Sequence, residues 1–224
     1  MIAIICALQS EAEAILSSLT ITGQKTVLID HALYSFDYDG VEGIMLVSGV
    51  GKVNSAIATQ YAIDIYKAKL IFNYGTCGAN LGKANLGEVY LIDKCAQYDV
   101  DISEIDDVAV GVLNGCGNPY LYTTSCELTN IFKVRSLATG DRFSCKDELT
   151  EFIAKNFDTQ LRDMEGASIL QVANANGVAC VMLKGVSDYV GSSSISMYNT
   201  YASKALVDIS THVSTIFESL NKLL

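Results

Sequence analysis

Two histidines, His31 and His212, are the whole imidazole supply of this 224-residue chain. Neither lies in an HxH or HExxH pattern, and the seven cysteines form no CxxC pair. That scarcity argues against a metal centre. It also makes a Ser-His-Asp site hard to build, so acid–base chemistry must come mainly from carboxylates. Proline is scarcer still, with Pro119 alone. No stretch approaches the ~18 consecutive apolar residues of a membrane-crossing helix. Neither an internal repeat nor a linker breaks the chain, and the length suits one large domain over residues 1–224. Cations are in deficit, 15 Lys and Arg against 25 Asp and Glu, for a formal charge of −10. Such a surface repels phosphate backbones and anionic membranes, so neither a nucleic-acid polymer nor a membrane is an expected partner. A small neutral or zwitterionic ligand remains open.

What is present is apolar. Hydrophobic residues make up 50% of the chain and the mean hydropathy is +0.30, which suggests strands buried on both faces or an apolar oligomer interface. The scattered, odd-numbered cysteines read as small core residues in a reducing, cytoplasmic compartment. The N-terminal MIAIICALQSEAEAIL lacks a basic flank and reads as a core strand entering a helix.

Short apolar runs alternate with helical spacing. Ile2 to Leu8 reads as a strand and Glu11 to Leu19 as a helix, with Ser10 and Glu13 as a capping box. Residues 26–47 read as hairpins turning at Asp39-Gly40 and Glu42-Gly43. Lys52 to Ala68 reads as a helix with Val53, Ala56, Ile57, Tyr61, Ile63 and Ile65 as its apolar positions. Strands are expected at Leu70–Tyr74, Glu88–Ile92, Val134–Thr139 and Val178–Val186, and helices at Asp147–Phe157 and Met164–Ala175. Residues 99–120 read as an irregular excursion. One long terminal helix carries the stripe Leu206, Ile209, Val213, Ile216, Phe217 and Leu220. The sum is a three-layer α/β fold: a mixed, largely parallel sheet with helices on both faces. In such sheets ligands sit at the carboxyl ends of strands.

Two glycine-rich turns close strands there. Ser48-Gly49-Val50-Gly51-Lys52 is not a P-loop, because Leu46 and Val53 hold positions that require glycine and a hydroxyl, and Asn54 spoils GxGxxG. It is either a tight strand-to-helix turn or the lining of a ligand pocket. Gly75-Thr76-Cys77-Gly78 is the second such turn, and glycine permits close approach of backbone to ligand. Three carboxylates stand out by position. Glu11 and Glu165 each begin a helix, where a plain surface acid complementing the helix dipole would be equally at home. Asp188 ends an apolar strand, a more telling place.

Six segments, in order along the chain, resemble one family. They are IICALQSEAEAIL at the start, VSGVGKVNSAIAT at 47–59, NYGTCGA at 73–79, LATGDRF at 137–143, DMEGASI at 163–169 and VMLKGVSDY at 181–189. Together they resemble the purine nucleoside phosphorylase superfamily, and within it the methylthioadenosine/S-adenosylhomocysteine nucleosidases. The resemblance implies hydrolysis of the N-glycosidic bond of an adenine nucleoside by water, with no cofactor or metal, in a homodimer. It implies that Glu11 activates the water and that Asp188, oriented by Ser187, protonates the purine. It implies that Glu165 holds the ribose hydroxyls with Met164 against the sugar. Phe143 would stack on the base, the Ser144 backbone would read its edge, Thr76 and Gly78 would line the base pocket, and Val50 and Tyr198 would contact the substrate, Val50 at the 5′-substituent. Adenine leaves poorly as an anion, hence the need for a carboxylic acid that keeps its proton, which an enclosed site provides. The cationic ribose that develops needs a carboxylate beside it.

The chain departs from the family at three places. Thr76 replaces a usual serine and Lys184 a frequent arginine. QYDVDISEIDDVAVG at 97–111 replaces an aromatic-bearing stretch that in the family reaches the partner subunit and the 5′-alkylthio pocket, so the resemblance does not rank 5′-substituents. Two other functions stay open: a phosphate-dependent phosphorylase, disfavoured by the lack of a GDPxR-like segment, and a nucleoside-binding protein without turnover.

Overall fold

A computed structural model describes residues 1–28, 30–113, 117–143, 147–191 and 194–224. The strands are β1 (Ile2–Cys6), β2 (Thr20–Val27), β3 (His31–Tyr38), β4 (Val41–Val47), β5 (Leu70–Ala79), β6 (Val89–Gln97), β7 (Tyr120–Tyr122), β8 (Lys133–Thr139), β9 (Leu161–Asp163) and β10 (Ala179–Tyr189). The helices are α1 (Gln9–Leu16), α2 (Lys52–Tyr66), α3 (Ser103–Asp106), α4 (Asp147–Asn156), α5 (Gly166–Ala175), α6 (Ser194–Thr211) and α7 (Val213–Asn221).

The sheet is mixed. β1 lies between β4 and β5, parallel to both. β4, β3 and β2 continue outward as antiparallel hairpins. β5 is parallel to β10 along its whole length, while its other edge takes β1 at the start and antiparallel β9 at the end. Because β10 pairs β6, β6 pairs β8 and β8 pairs β9, these strands close a ring through β5. β1 shows why the apolar runs lack alternation. Its five residues are all buried, Ile2, Ile4 and Cys6 against α1, α6 and α7, Ala3 and Ile5 toward α2 and α5.

Several sequence expectations need correction. α1 starts at Gln9 with Leu8 as its N-cap, so Ser10 is not the cap. The acid of its first turn, Glu11, bends back to accept the Leu8 N–H (3.0 Å). Gly43 is no turn residue but lies within β4, where a Cβ would meet the Phe36 ring at 2.2 Å. Asp39 and Gly40 do turn, both with positive φ (50° and 82°). The terminal helix is two helices, parted at His212 (φ −106°, ψ 10°), whose ring Nδ1 bonds the Asp208 carbonyl at 2.9 Å. The stripe from Leu206 to Leu220 is buried across the break. α2 buries its small residues, Ser55, Ala58, Thr59 and Ala62, and leaves Val53, Ile57 and Ile65 exposed. The reason is close packing on α5, where the Ser55 and Ser168 hydroxyls meet at 2.6 Å. Cys6, Cys77, Cys95 and Cys180 are buried free thiols, as expected of small core residues, while Cys116 and Cys145 lie outside the described residues.

Candidate active site

The carboxyl ends of β1, β5, β9 and β10 and the turn after β4 meet around a cavity of about 320 Å³. Glu11, Val50, Thr76, Gly78, Phe143, Met164, Glu165, Ser187, Asp188 and Tyr198 all line it. Ser144 lies outside the described residues. Glu11 and Asp188, far apart in the chain, come together because β1 and β10 flank β5.

Glu11 is buried and held by four donors. Oε2 accepts the Ala7 and Leu8 N–H groups (2.9 and 3.0 Å), and Oε1 accepts the Thr76 N–H and hydroxyl (2.8 and 3.0 Å). Four donors match the acceptor capacity of an ionised carboxylate. Three are fixed backbone groups, so the rotatable Thr76 hydroxyl is the one that can yield to an incoming water. The carboxylate occupies space that Gly75 leaves free, since a Cβ there would stand 2.7 Å from Oε1.

Asp188 is the penultimate residue of β10, paired with Gly78 across a bulge after Val186. Its Oδ1 lies 2.7 Å from the Ser187 hydroxyl, which also lies 3.1 Å from the Cys77 carbonyl. Oδ2 would be 3.3 Å from a Cβ on Gly78, so the missing side chain opens that oxygen to the cavity. Burial raises the Asp188 pKa above the usual aspartate value, and the Ser187 hydrogen bond only partly opposes it. A carboxyl that resists ionisation is what proton donation requires.

Glu165 precedes α5, and its Oε1 accepts the Gly51 N–H at 2.9 Å. This contact ties the strand-to-helix turn at Gly49–Gly51, whose Val50 lines the cavity, to Glu165. Gly51 has φ +101°, and the turn is tied down from outside. The Lys52 N–H donates to Asp141 (2.7 Å), the Asp141 N–H to Asp99 (2.9 Å), and Lys52 Nζ pairs with Asp99 (2.6 Å). Burial, reinforced by the nearby Asp163 charge, raises the Glu165 pKa to about 7, against the opposing pull of Lys184 and the Gly51 N–H. Lys184 is itself buried, 2.9 Å from Asp163 Oδ2. Burial alone would lower its pKa, but Asp163, Glu165 and Glu11 together outweigh that and raise it. One ammonium thus faces three carboxylates, a balance suited to a reaction in which positive charge appears on the bound molecule.

The Phosphorylase superfamily model matches residues 1–205. The chain belongs to that superfamily. Among curated superfamily members, a 5′-methylthioadenosine/S-adenosylhomocysteine nucleosidase of Anoxybacillus flavithermus is 28% identical, with 99% of each chain covered. An aminodeoxyfutalosine nucleosidase of Campylobacter jejuni is 30% identical over 85% of this chain and 86% of its own. A solved Helicobacter pylori 5′-methylthioadenosine/S-adenosylhomocysteine nucleosidase superposes with a TM-score of 0.89 at 21% identity, covering 97% of both chains, which establishes the shared fold.

This superfamily member also lines its cavity with residues that the sequence reading passed over: Ala7, Leu8, Cys77, Arg162, Asp163 and Ile195. Asp163 carried a weak signal as an acid two residues before Glu165, while the strand it ends, β9, was not read from the sequence. Its carboxylate is taken up by Lys184, the Thr139 hydroxyl (2.6 Å) and the Gly166 N–H (2.8 Å), so it braces Glu165 from behind. Phe143 and Val50 stand at the mouth, 58% and 45% exposed, with apolar area that a ligand would cover. Tyr98 turns inward to the Arg142 carbonyl (3.0 Å) and does not line this cavity. Among the described residues no His, Cys, Asp and Glu group has metal-binding geometry, and no helix is long and apolar enough to cross a membrane.

Proposed function

We propose that the chain, acting as one nucleosidase-like domain over residues 1–224, hydrolyses the N-glycosidic bond of an adenine nucleoside of the 5′-methylthioadenosine or S-adenosylhomocysteine type. The observation that carries this reading is the meeting of Glu11, Glu165 and Asp188 in one cavity, each in a different electrostatic setting. Asp188 gives its proton to the five-membered ring of the purine as the bond from C1′ to the base breaks, and the base departs neutral with the bonding electron pair. Glu11 steadies the cationic sugar and takes a proton from the water that adds to C1′. Glu165 accepts from the ribose hydroxyls, with Met164 against the sugar, and so fixes the reacting geometry. Phe143 stacks on the base, Thr76 and Gly78 border it, and Val50 and Tyr198 contact the sugar end. A phosphate-dependent reaction fits less well. The groups that hydrogen-bond Glu11 are three backbone N–H donors and a hydroxyl, all engaged by the carboxylate and none of them a cation, and the nearby Lys184 is paired with Asp163. The test is a nucleoside panel assayed with and without phosphate. Free adenine is expected at equal rates in both, and a requirement for phosphate would overturn hydrolysis.

A pH dependence follows from Glu165. Its ionised form is the stronger acceptor and carries no donor of its own at either oxygen, and its pKa is raised to about 7. kcat/KM should therefore rise with pH through about 7. Glu165→Gln should flatten this limb and raise KM at least about tenfold. A limb that survives the substitution would assign it to another group.

The exposed face of α2, with Val53 at 68%, Ile57 at 47% and Ile65 at 59% exposure, supports assembly as a homodimer. Light scattering at micromolar concentration should give twice the chain mass, and Ile57→Glu should yield monomers. A monomeric parent protein would contradict the assembly. The buried thiols and the charge of −10 fit a cytoplasmic setting.

A further inference from the structure

Arg162 has an unusual position for a permanently charged group. It is the central residue of β9 and pairs with Gly78 of β5, which pairs in turn with Asp188 of β10. Residues in one lateral row of a sheet project to the same face. Arg162 and Asp188 therefore flank a position with no side chain, at the end of the cavity where the base is placed. Arg162 is only 8% exposed and lines this cavity as well as a hollow of about 50 Å³ beside it. Its Nη2 donates to Asn80 Oδ1 at 3.1 Å, while Nε and Nη1 are closed off from solvent and have no hydrogen-bond partner among the described residues. Among the described residues no carboxylate lies within ion-pair distance, and the adjacent Asp163 is engaged by Lys184. A buried guanidinium with idle donors is an unfavourable state that an incoming acceptor would relieve.

We propose that Arg162 adapts the base end of the cavity to purines carrying an oxygen at C6, making 6-oxopurine nucleosides a second substrate class. This rests on the nucleosidase reading above. The 6-amino group of adenine offers this donor-only side chain nothing. A C6 oxygen is an acceptor and carries much of the negative charge that builds on a 6-oxopurine as its bond to C1′ breaks. Because Nε and Nη1 are closed off from solvent, contact with that oxygen requires the arginine side chain to turn about its last torsions. The balance of the reaction is unchanged: water adds to C1′, its proton goes to Glu11, and the base leaves with the bonding pair and the Asp188 proton.

The experiment compares 5′-methylthioadenosine with 5′-methylthioinosine on the intact protein and on Arg162→Met and Arg162→Lys. The parent protein should release both bases. Arg162→Met should lower kcat/KM for the 6-oxopurine relative to that for the adenine substrate by about 10- to 100-fold, with Arg162→Lys between. A residue that only braced Asn80 and the β5–β9 pairing would slow both substrates alike, and that result overturns the proposal. Adenine released without hypoxanthine by the parent protein overturns it too while leaving the nucleosidase reading intact. Release of neither base overturns both. Should Arg162→Met fail to fold, the comparison on the parent protein and the lysine variant still decides.

Discussion

Asp188→Asn is expected to lower the rate of adenine release by about a hundred- to ten-thousand-fold while leaving the affinity for an uncleavable nucleoside analogue within about threefold. Asparagine keeps the shape of the side chain and the contact with Ser187 (2.7 Å), so the cavity should not change form. What it lacks is a proton to deliver. The raised pKa of Asp188 comes first from burial, and the same burial denies the departing base any other proton source. The free-energy barrier must then carry a purine leaving as an anion. Single-turnover release of adenine is the measurement, beside calorimetric binding of the analogue. More than about a tenth of the parent rate in the variant would remove Asp188 as the acid.

Glu11→Gln should be comparably severe and, unlike Asp188→Asn, should also destabilise the fold. The carboxylate accepts the Ala7, Leu8 and Thr76 N–H groups and the Thr76 hydroxyl. A glutamine side chain has one oxygen, so its amino group must face backbone donors on one side whichever way it is turned. On the Thr76 side the hydroxyl can turn to accept and one N–H is left facing a donor, while on the other side both the Ala7 and Leu8 N–H groups are, and a buried unsatisfied group costs about 1–3 kcal/mol. The barrier to reaction rises as well, because the amide neither takes a proton from water nor offsets the charge on the sugar. A loss of about a hundred- to ten-thousand-fold in kcat with a clear fall in melting temperature is expected. Unchanged melting would mean that the four contacts do not hold the turn between β1 and α1.

The three carboxylates were legible in sequence because Glu11 and Glu165 begin helices and Asp188 ends an apolar strand, and because the family resemblance runs through all three. Their meeting was not. β5 joins β1, β9 and β10 through pairings between residues far apart in the chain, and local periodicity carries no record of such partners. The hydrophobic stripe of the terminal helix shows which side faces the core, yet says nothing of the break at His212, since the same side stays buried across it. On α2 the apolar positions misled about direction. Close approach to α5 requires small residues, so Ala58 and Ala62 face inward while Val53 and Ile57 face out. Ser10 followed by Glu13 has the spacing of a capping box, but the acid that serves the helix start is Glu11, drawn inward by Thr76 from another strand. Arg162 gave no signal, because its isolation depends on Asp163 being engaged by Lys184.

The central claim is that water, held at Glu11, attacks a sugar whose base leaves through Asp188. Turnover of 5′-methylthioadenosine in water enriched with oxygen-18 tests it most directly, with the sugar product reduced at once to prevent exchange at C1. One heavy oxygen at C1, in a product free of phosphate, is the predicted result. A sugar without the label, or one recovered as a 1-phosphate, would contradict it.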